Sequence, residues 1–209
     1  MNKRSRTLIA AGIALLLAAL LLTGYNLWDA ARADSAARAT RDTLSEAIGA
    51  NLPVETDEDE PVFPDYLLNP EMPMPTAAVD GLDYIGLLEL PALELSLPVA
   101  SEWSYDALKL APCRYAGSAY QDDLVIAAHN YRSHFGRLAR SAPGDEVRFT
   151  DMDGNTFVYE VAELETLPPT AVEEMTDSGY DLTLFTCTLG GQTRLTVRCT
   201  LVDRIPAET

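Results

Sequence analysis

Basic residues are scarce in this sequence. Its 209 residues include 15 lysines and arginines against 32 aspartates and glutamates, which gives a formal net charge of −17. A surface of this sign repels nucleic-acid phosphates and anionic lipid headgroups, so the charge argues against a nucleic-acid-binding protein. Apolar residues still make up 47% of the chain. The composition therefore predicts one globular domain of about 120 to 150 residues with accessory segments.

Cysteine is also rare, and its spacing excludes two kinds of site. The chain contains Cys113, Cys187 and Cys199, and no two of them form a C-x-x-C pair. This argues against a zinc site of the usual spacing and against a thioredoxin-like redox centre. An odd number of cysteines leaves at least one free thiol, which is the state that a catalytic nucleophile needs.

The N-terminal segment, residues 1–28, is predicted to be a cytoplasmic tip followed by a transmembrane anchor. No charged residue occurs from Thr7 to Trp28, and basic residues at positions 3, 4 and 6 precede this run. The length is sufficient to span a bilayer, and the basic flank favours a cytoplasmic N-terminus. We expect a single-pass protein of the cell membrane with its C-terminal domain outside. The alternative is a signal peptide cleaved after Ala31-Arg32-Ala33.

Residues 29–80 are predicted to connect the anchor to the globular domain. From Asp29 to about Ile48 the sequence is rich in alanine and favours a helical stem, which we expect to be surrounded by solvent. Six prolines and the acidic run 55–60 then occur between Pro53 and Pro75, a composition typical of an extended spacer. Within this spacer, Tyr66-Leu67-Leu68 is a candidate for docking on the domain.

Residues 81–209 are predicted to form an all-β domain. Short runs of apolar and β-branched residues alternate with turn signals, and no helical periodicity or internal repeat is present. An Asp-Gly turn joins the strands at 146–150 and 156–161. Seven or eight short strands of this kind predict a closed or nearly closed β-barrel with short helices.

Two strands near the C-terminus end in residues with reactive side chains. The strand Leu182–Thr186 leads directly into Cys187, and the next strand begins at Arg194 after a loop that contains Gly190-Gly191. Upstream, the apolar strand Leu124–Ala128 leads into His129. A cysteine, a histidine and an arginine supply a nucleophile, a proton shuttle and a cationic partner for an oxyanion.

These segments resemble those of sortases, the cysteine transpeptidases that attach proteins to Gram-positive cell walls. The resemblance rests on Thr-Leu-Phe-Thr-Cys at 183–187, Arg-Leu-Thr-Val at 194–197 and His-Asn at 129–130, within residues 82–202. It departs from the family at Ala128, where glycine is usual. The resemblance implies a sortase-like β-barrel whose catalytic residues are His129, Cys187 and Arg194, with Thr186 as a candidate for substrate binding.

The implied activity is that of a thiol peptidase and acyltransferase. Cys187 would cleave a C-terminal sorting motif of a secreted protein through a thioester, and the acyl group would pass to an amine of a cell-wall precursor or a pilin. Two alternatives remain open: a non-catalytic membrane-tethered barrel that binds wall or substrate peptides, and a secreted cysteine hydrolase. Some pilus-building sortases cover their cleft with a segment that bears an Asp-Pro-aromatic motif. The order here is Pro64-Asp65-Tyr66, so this motif is absent from the spacer.

No cofactor is expected for this chemistry. Some sortases bind calcium, and Asp122, Asp123 and Asp153 could contribute to such a site, but the chain has no EF-hand spacing. We therefore interpret these carboxylates as solvated loop residues and predict no metal site.

Three further residues are assigned structural positions. Cys199 shares a strand face with apolar residues and is expected in the core. His134 lies beside Phe135 and is expected to find hydrogen-bond partners locally. Arg198, on the same face as Arg194, is expected nearer the rim and tolerant of substitution by alanine.

Overall fold

A long N-terminal helix and a ring of strands make up the molecule. The computed structural model describes residues 3–51 and 64–207 of the chain. Helix α1 covers Lys3–Asn51, 49 residues, and is therefore roughly 70 Å long. Within the described residues it is the one helix long and apolar enough to cross a membrane, and none of its most apolar window is buried in the protein.

The C-terminal half of α1 packs against the strands, so the expected solvated stem is wrong. Ala33, Ala37, Thr40 and Leu44 recur at helical spacing on one face and are buried, with exposed fractions of 1, 4, 7 and 0%. Alanine offers little area to bury, but its small side chain lets the helix backbone approach a sheet closely. Leu44 then fills the space beneath the helix.

Within residues 64–207, nine strands and three short α-helices follow α1. The short helices are α2 (Asp65–Leu68), α3 (Tyr105–Leu108) and α4 (Val172–Thr176), with 3₁₀ turns at Pro91–Leu93 and Phe135–Arg140. The strands are β1 (Ala77–Val79), β2 (Leu82–Leu90), β3 (Leu95–Ala100), β4 (Cys113–Ala116), β5 (Leu124–Ala128), β6 (Glu146–Asp151), β7 (Thr156–Leu167), β8 (Leu182–Cys187) and β9 (Arg194–Ile205).

Eight of these strands form a closed ring. The sheet order is β1-β2-β3-β4-β5-β8-β9-β7-β6, and an additional pairing of β2 with β6 closes the ring from β2 onward. Pairing is parallel between β3 and β4 and between β5 and β8, and antiparallel elsewhere. The sequence prediction of seven or eight strands with short helices agrees with this ring, and β1 adds a strand outside it.

Two apolar cores stabilise the ring. One fills its interior and includes the fully buried Phe149, Phe157 and Tyr159. The other lies outside the ring, between the strands and the helices α1 and α3, and it contains Leu44 together with Cys113. Cys199 belongs to the interior core, as expected.

Side chains from residues 66–74 reach the same interior core. Tyr66 of α2 stacks on Tyr120 with ring centroids 4.6 Å apart and lies 5.4 Å from the ring of Phe157. Met74 is buried in the same cluster. Of the candidate docking segment, Tyr66 therefore packs on the domain, whereas Leu67 and Leu68 are exposed. The predicted domain boundary at residue 81 thus separates β1, Tyr66 and Met74 from the strands on which they pack. The acidic run 55–60 lies outside the described residues.

Leu44→Ala tests whether α1 is packed on the ring. We expect a loss of about 2 to 4 kcal/mol in the free energy of unfolding, because a fully buried leucine leaves a cavity. Denaturant unfolding of the full-length chain in detergent measures it. Glu46→Ala, an exposed position on the same helix, should change stability little. Equal effects of the two substitutions would contradict the packing.

Candidate active site

The three residues predicted to be catalytic lie at the ends of three neighbouring strands. Strands β5 and β8 run parallel with Ala128 opposite Thr186, so His129 and Cys187 follow at the same edge. Strand β9 is antiparallel to β8, and Arg194 is paired directly with Cys187. The register of two strand pairs therefore brings the imidazole, the thiol and the guanidinium to one place.

These side chains line one cavity of about 330 Å³. Its remaining lining is mostly apolar, with polar groups concentrated at the strand ends, a composition typical of ligand sites. One wall comes from the region of α3, β4 and β8, and the other from the β7–β8 connection that contains α4. The lining is Trp103, Tyr105, Leu108, Tyr115, Ala127, Ala128, His129, Pro168, Pro169, Ala171, Val172, Met175, Phe185, Thr186, Cys187 and Arg194.

Aromatic side chains form the first wall. Trp103 contacts Tyr105 edge to face with centroids 4.9 Å apart, and it also lies 6.2 Å from Tyr115. Tyr115 in turn meets Phe185 at 90° and 5.3 Å. Edge-to-face contacts of this kind fix ring orientations. The wall was not predicted from sequence, since its members come from separate segments that only the ring brings together.

Cys187 differs from the other two cysteines in its exposure. All three are free thiols, and Cys187 alone is partly exposed. Burial raises the pKa of Cys113 to about 11 and that of Cys199 to about 12, so both remain protonated and unreactive at neutral pH. The structure thus leaves Cys187 as the thiol that a substrate can reach.

His129 is held neutral near pH 7. Burial lowers the pKa of the imidazole, and the charge of Lys109 lowers it further. The carboxylate of Asp29 raises this pKa in part. A neutral imidazole is able to accept a proton from a thiol. No direct hydrogen bond joins His129 to Cys187, and catalytic hydrogen bonds commonly tighten only when substrate is bound.

Arg194 is anchored through the hairpin between β8 and β9. Its Nη1 donates to the carbonyl oxygens of Gly191 and Thr193, both at 3.1 Å. The hairpin is itself closed by the hydroxyls of Thr188 and Thr193, 2.8 Å apart. Within the described residues Arg194 forms no ion pair, so donors on its guanidinium stay free to meet an oxyanion.

Residues 88–202 match the family model for the sortase domain. The match covers more than half of the chain. The chain belongs to the sortase family. Among curated proteins no significant match was found.

Solved structures agree in fold with this assignment. Sortase D5 of Clostridium perfringens has a TM-score of 0.57 at 20% identity, over 81% of this chain and 99% of that chain. Sortase E1 of Streptomyces coelicolor, solved with a tripeptide in its active site, has a TM-score of 0.51 at 23% identity, over 59% and 90%. Sortase C1 of Streptococcus agalactiae has a TM-score of 0.51 at 25% identity, over 60% and 71%.

Arg198 is not near the rim of this sortase, and that expectation is wrong. Its side chain is 2% exposed, and Nε donates to Glu165 at 2.7 Å while Nη1 donates to the Thr183 hydroxyl at 2.9 Å. Nη2 also donates to the carbonyl of Glu174 at 2.5 Å. Strand alternation placed Arg198 on the correct face, but α4 covers that part of the face. Arg198 therefore holds α4, one wall of the cavity, against the sheet.

Thr186 lines the cavity, but its hydroxyl is already bonded. Oγ1 donates to the carbonyl oxygen of Ala128 at 2.8 Å, and the side chain is buried. The bond ties β8 to the residue that precedes His129. This geometry favours a role in holding the imidazole in place, whereas the sequence suggested substrate binding.

His134 is fully buried, and the expected local partners are missing. Neither ring nitrogen has a hydrogen-bond partner within the described residues, although its ring lies 5.5 Å from that of Tyr131. Burial and the nearby His129 lower the pKa of His134 to about 4, against a weaker opposing effect of Asp34. His134 is thus a neutral core residue at physiological pH.

The carboxylates considered for calcium have other contacts. Asp122 accepts two hydrogen bonds of 2.6 Å from Arg204, and Asp123 accepts one of 2.8 Å from the backbone of Ser118. Burial next to Asp151 raises the pKa of Asp153. The described residues contain no cluster of three or more metal-ligating side chains. Independence of metal stays a prediction.

Cysteine labelling tests the difference between the three thiols. Iodoacetamide added to the native full-length protein should modify Cys187 and leave Cys113 and Cys199 unmodified until the protein is unfolded. Mass mapping of tryptic peptides measures each site. Protection of Cys187, or equal modification of all three residues, would contradict the structure.

The buried imidazole of His134 predicts an acid-sensitive fold. The pKa of His134 is about 4 in the folded protein and about 6.5 for an ordinary imidazole. Between these pH values the unfolded chain binds a proton at His134 and the folded chain does not. Stability should therefore fall as the pH drops through this window, by up to about 3 kcal/mol. His134→Phe should remove this component in unfolding experiments at pH 7 and pH 4.5. An unchanged pH dependence in the variant would show that folding does not shift the pKa of His134.

Proposed function

We propose that this sortase is a membrane-anchored cysteine transpeptidase. It cleaves a C-terminal sorting motif of a secreted protein and transfers the acyl group to an amine of a cell-wall precursor or a pilin. The observation that carries the proposal is the meeting of Cys187, His129 and Arg194 at three adjacent strand ends around one apolar cavity.

The first half of the reaction forms a thioester. His129 accepts the proton of the Cys187 thiol, and the thiolate attacks the carbonyl carbon of the scissile peptide bond. Arg194 donates to the oxyanion that develops on the carbonyl oxygen. The carbon–nitrogen bond then breaks, and His129 gives its proton to the departing amine.

The second half restores the enzyme. The incoming amine attacks the thioester carbon and passes a proton to His129, while Arg194 again meets the oxyanion. The carbon–sulfur bond breaks, and the Cys187 thiolate takes back its proton from His129. Water competes with the amine in this step, so transfer requires that the acceptor be held next to the thioester.

The apolar lining favours substrates with apolar side chains beside the cleaved bond. Aromatic rings on one side and Pro168, Pro169, Val172 and Met175 on the other leave few polar groups to pair with a charged peptide. Burial of a charged side chain against these apolar walls, away from Arg194, would go uncompensated.

The packing of α1 supports an uncleaved anchor. The candidate cleavage site ends at Ala33, which is 1% exposed against the ring. Cleavage there would cut a helix that continues into the packed segment. The apolar run that precedes it is exposed and has the length of a membrane span.

If the anchor is retained, the mature protein keeps Met1 or Asn2 and sediments with membranes. N-terminal sequencing of the membrane fraction from cells that express the full chain measures this. An N-terminus just after Ala33 would overturn the anchor and leave the catalytic proposal intact.

A peptide library tests the transpeptidase directly. The full-length protein in detergent is incubated with five-residue motif peptides and an amine, and ligated products are read by mass. A ligated product in the wild type and none in Cys187→Ala is the expected result. Peptide release without ligation, at saturating amine, would support the hydrolase. Peptide binding without either product would support a non-catalytic receptor.

Substitutions of the two arginines should separate catalysis from stability. Arg194→Ala and Arg194→Lys should lower the acylation rate by about 10²-fold at unchanged stability, because the planar guanidinium acts on charge of the transition state. Arg198→Ala should instead destabilise the fold by about 2 kcal/mol, since the buried Thr183 hydroxyl and the Glu174 carbonyl lose their donor. Acylation rates and unfolding curves of the three variants measure this. A near-normal Arg194→Ala beside a stable but inactive Arg198→Ala would transfer the oxyanion role to Arg198.

A further inference from the structure

Helix α1 reaches the candidate active site through Asp29. This is the first charged residue after the apolar run, and its Oδ2 accepts a hydrogen bond of 2.7 Å from the hydroxyl of Tyr131. Asp29 is also 3.3 Å from Arg32, whose guanidinium lies over the ring of Trp28. The carboxylate is thus held in place by its own helix and is presented to the domain.

Tyr131, which bonds Asp29, also contacts His129, the proposed catalytic histidine. Its ring lies against that of His129, with centroids 4.9 Å apart and planes inclined by 37°. The backbone on either side is fixed, because Phe135 donates to the carbonyl of His129 at 3.1 Å and Gly136 donates to that of Tyr131 at 2.8 Å. The backbone of Tyr131 is thus held by hydrogen bonds, and its hydroxyl is held by Asp29. Its ring is therefore a rigid surface against which the imidazole of His129 packs.

We infer that Asp29 and Tyr131 are positioning residues of the active site, which makes the membrane-proximal turn of α1 part of the catalytic apparatus. Asp29 holds the phenol of Tyr131, and Tyr131 restricts the imidazole of His129 to the orientation that faces the cavity. The inference rests on the proposed transpeptidase. It gives α1 a role in positioning the active site in addition to its packing on the ring and its proposed function as an anchor.

Asp29 stays ionised and Tyr131 stays protonated near neutral pH. The hydrogen bond from Tyr131 is the largest influence on Asp29 and lowers its pKa, while burial and this carboxylate raise the pKa of Tyr131 to about 12. The phenol therefore donates and the carboxylate accepts throughout the neutral range. The contact does not depend on a titration near pH 7.

Among the described residues, two charged groups act on His129. The carboxylate of Asp29, on α1, raises the pKa of the imidazole, and Lys109, which follows α3, lowers it. Cys187 and Arg194 line the same cavity as His129. The ring of His134 lies 5.5 Å from that of Tyr131, and its own pKa is lowered by burial and by His129.

The sequence contains only two histidines, which allows a clean test without turnover. NMR titration of the full-length protein, carrying labelled histidine in detergent, follows His129 and His134 separately. Asp29→Asn should lower the pKa of His129, because it removes the favourable carboxylate. Asp34→Asn is the matched control: Asp34 lies on the same helix, bonds Arg38, and acts on His134. It should leave His129 unchanged.

Acylation rates then test the positioning role. Asp29→Ala and Tyr131→Phe should each lower kcat roughly threefold to tenfold with KM little changed, because a misplaced imidazole slows proton transfer. The double variant should be no slower than either single variant, since both remove the same hydrogen bond. Asp29→Asn should recover most of the rate, because an amide oxygen still accepts from the phenol.

Two results would overturn the inference. One is a His129 titration that is unchanged in Asp29→Asn, and the other is a double variant whose losses in rate multiply. If the wild-type protein forms no acyl-enzyme with any peptide, the proposed function fails. The NMR titration would still decide whether Asp29 acts on His129.

Discussion

The parallel pairing of β5 with β8 is the constraint on which the candidate site depends. In parallel strands the carboxyl ends lie at the same edge, so pairing Ala128 with Thr186 brings His129 next to Cys187. A one-residue shift would turn one of the two side chains to the opposite face. The Thr186 hydroxyl bonds the Ala128 carbonyl and so reinforces this register at the catalytic end.

The surroundings of the site are held by groups that take no part in the proposed chemistry. Arg198 joins the β7–β8 connection to the sheet through Glu165, Thr183 and the backbone of α4. On the opposite side, α1 packs Ala33 and Leu44 against the strands and contacts Tyr131 through Asp29. A cavity built on strand ends thus gains rigid walls from a buried arginine and from the helix that leads to the membrane.

Local patterns predicted a ring of strands and reactive residues at strand ends, and the resemblance to sortases selected which of these residues are catalytic. Apolar runs that end in His129 and Cys187 gave the strand ends, and the spacing through Gly190-Gly191 predicted the pairing with Arg194 that the structure shows. Features that depend on distant segments escaped prediction. The burial of Arg198 requires α4 to fold over it. The packing of α1 depends on alanines, and their small side chains do not stand out in the sequence as an apolar packing face. The Asp29–Tyr131 contact joins residues 102 positions apart.

Detection of the covalent intermediate tests the proposed thioester mechanism directly. Full-length protein is mixed, without amine, with a library peptide that serves as a substrate for ligation. The reaction is quenched in acid and the protein is digested. The mass of the protein fragment that contains position 187 is then measured. The proposed mechanism predicts an acyl adduct on Cys187 that hydroxylamine removes, as a thioester requires. Rapid peptide cleavage with no adduct on Cys187, or an adduct on another residue, would contradict it.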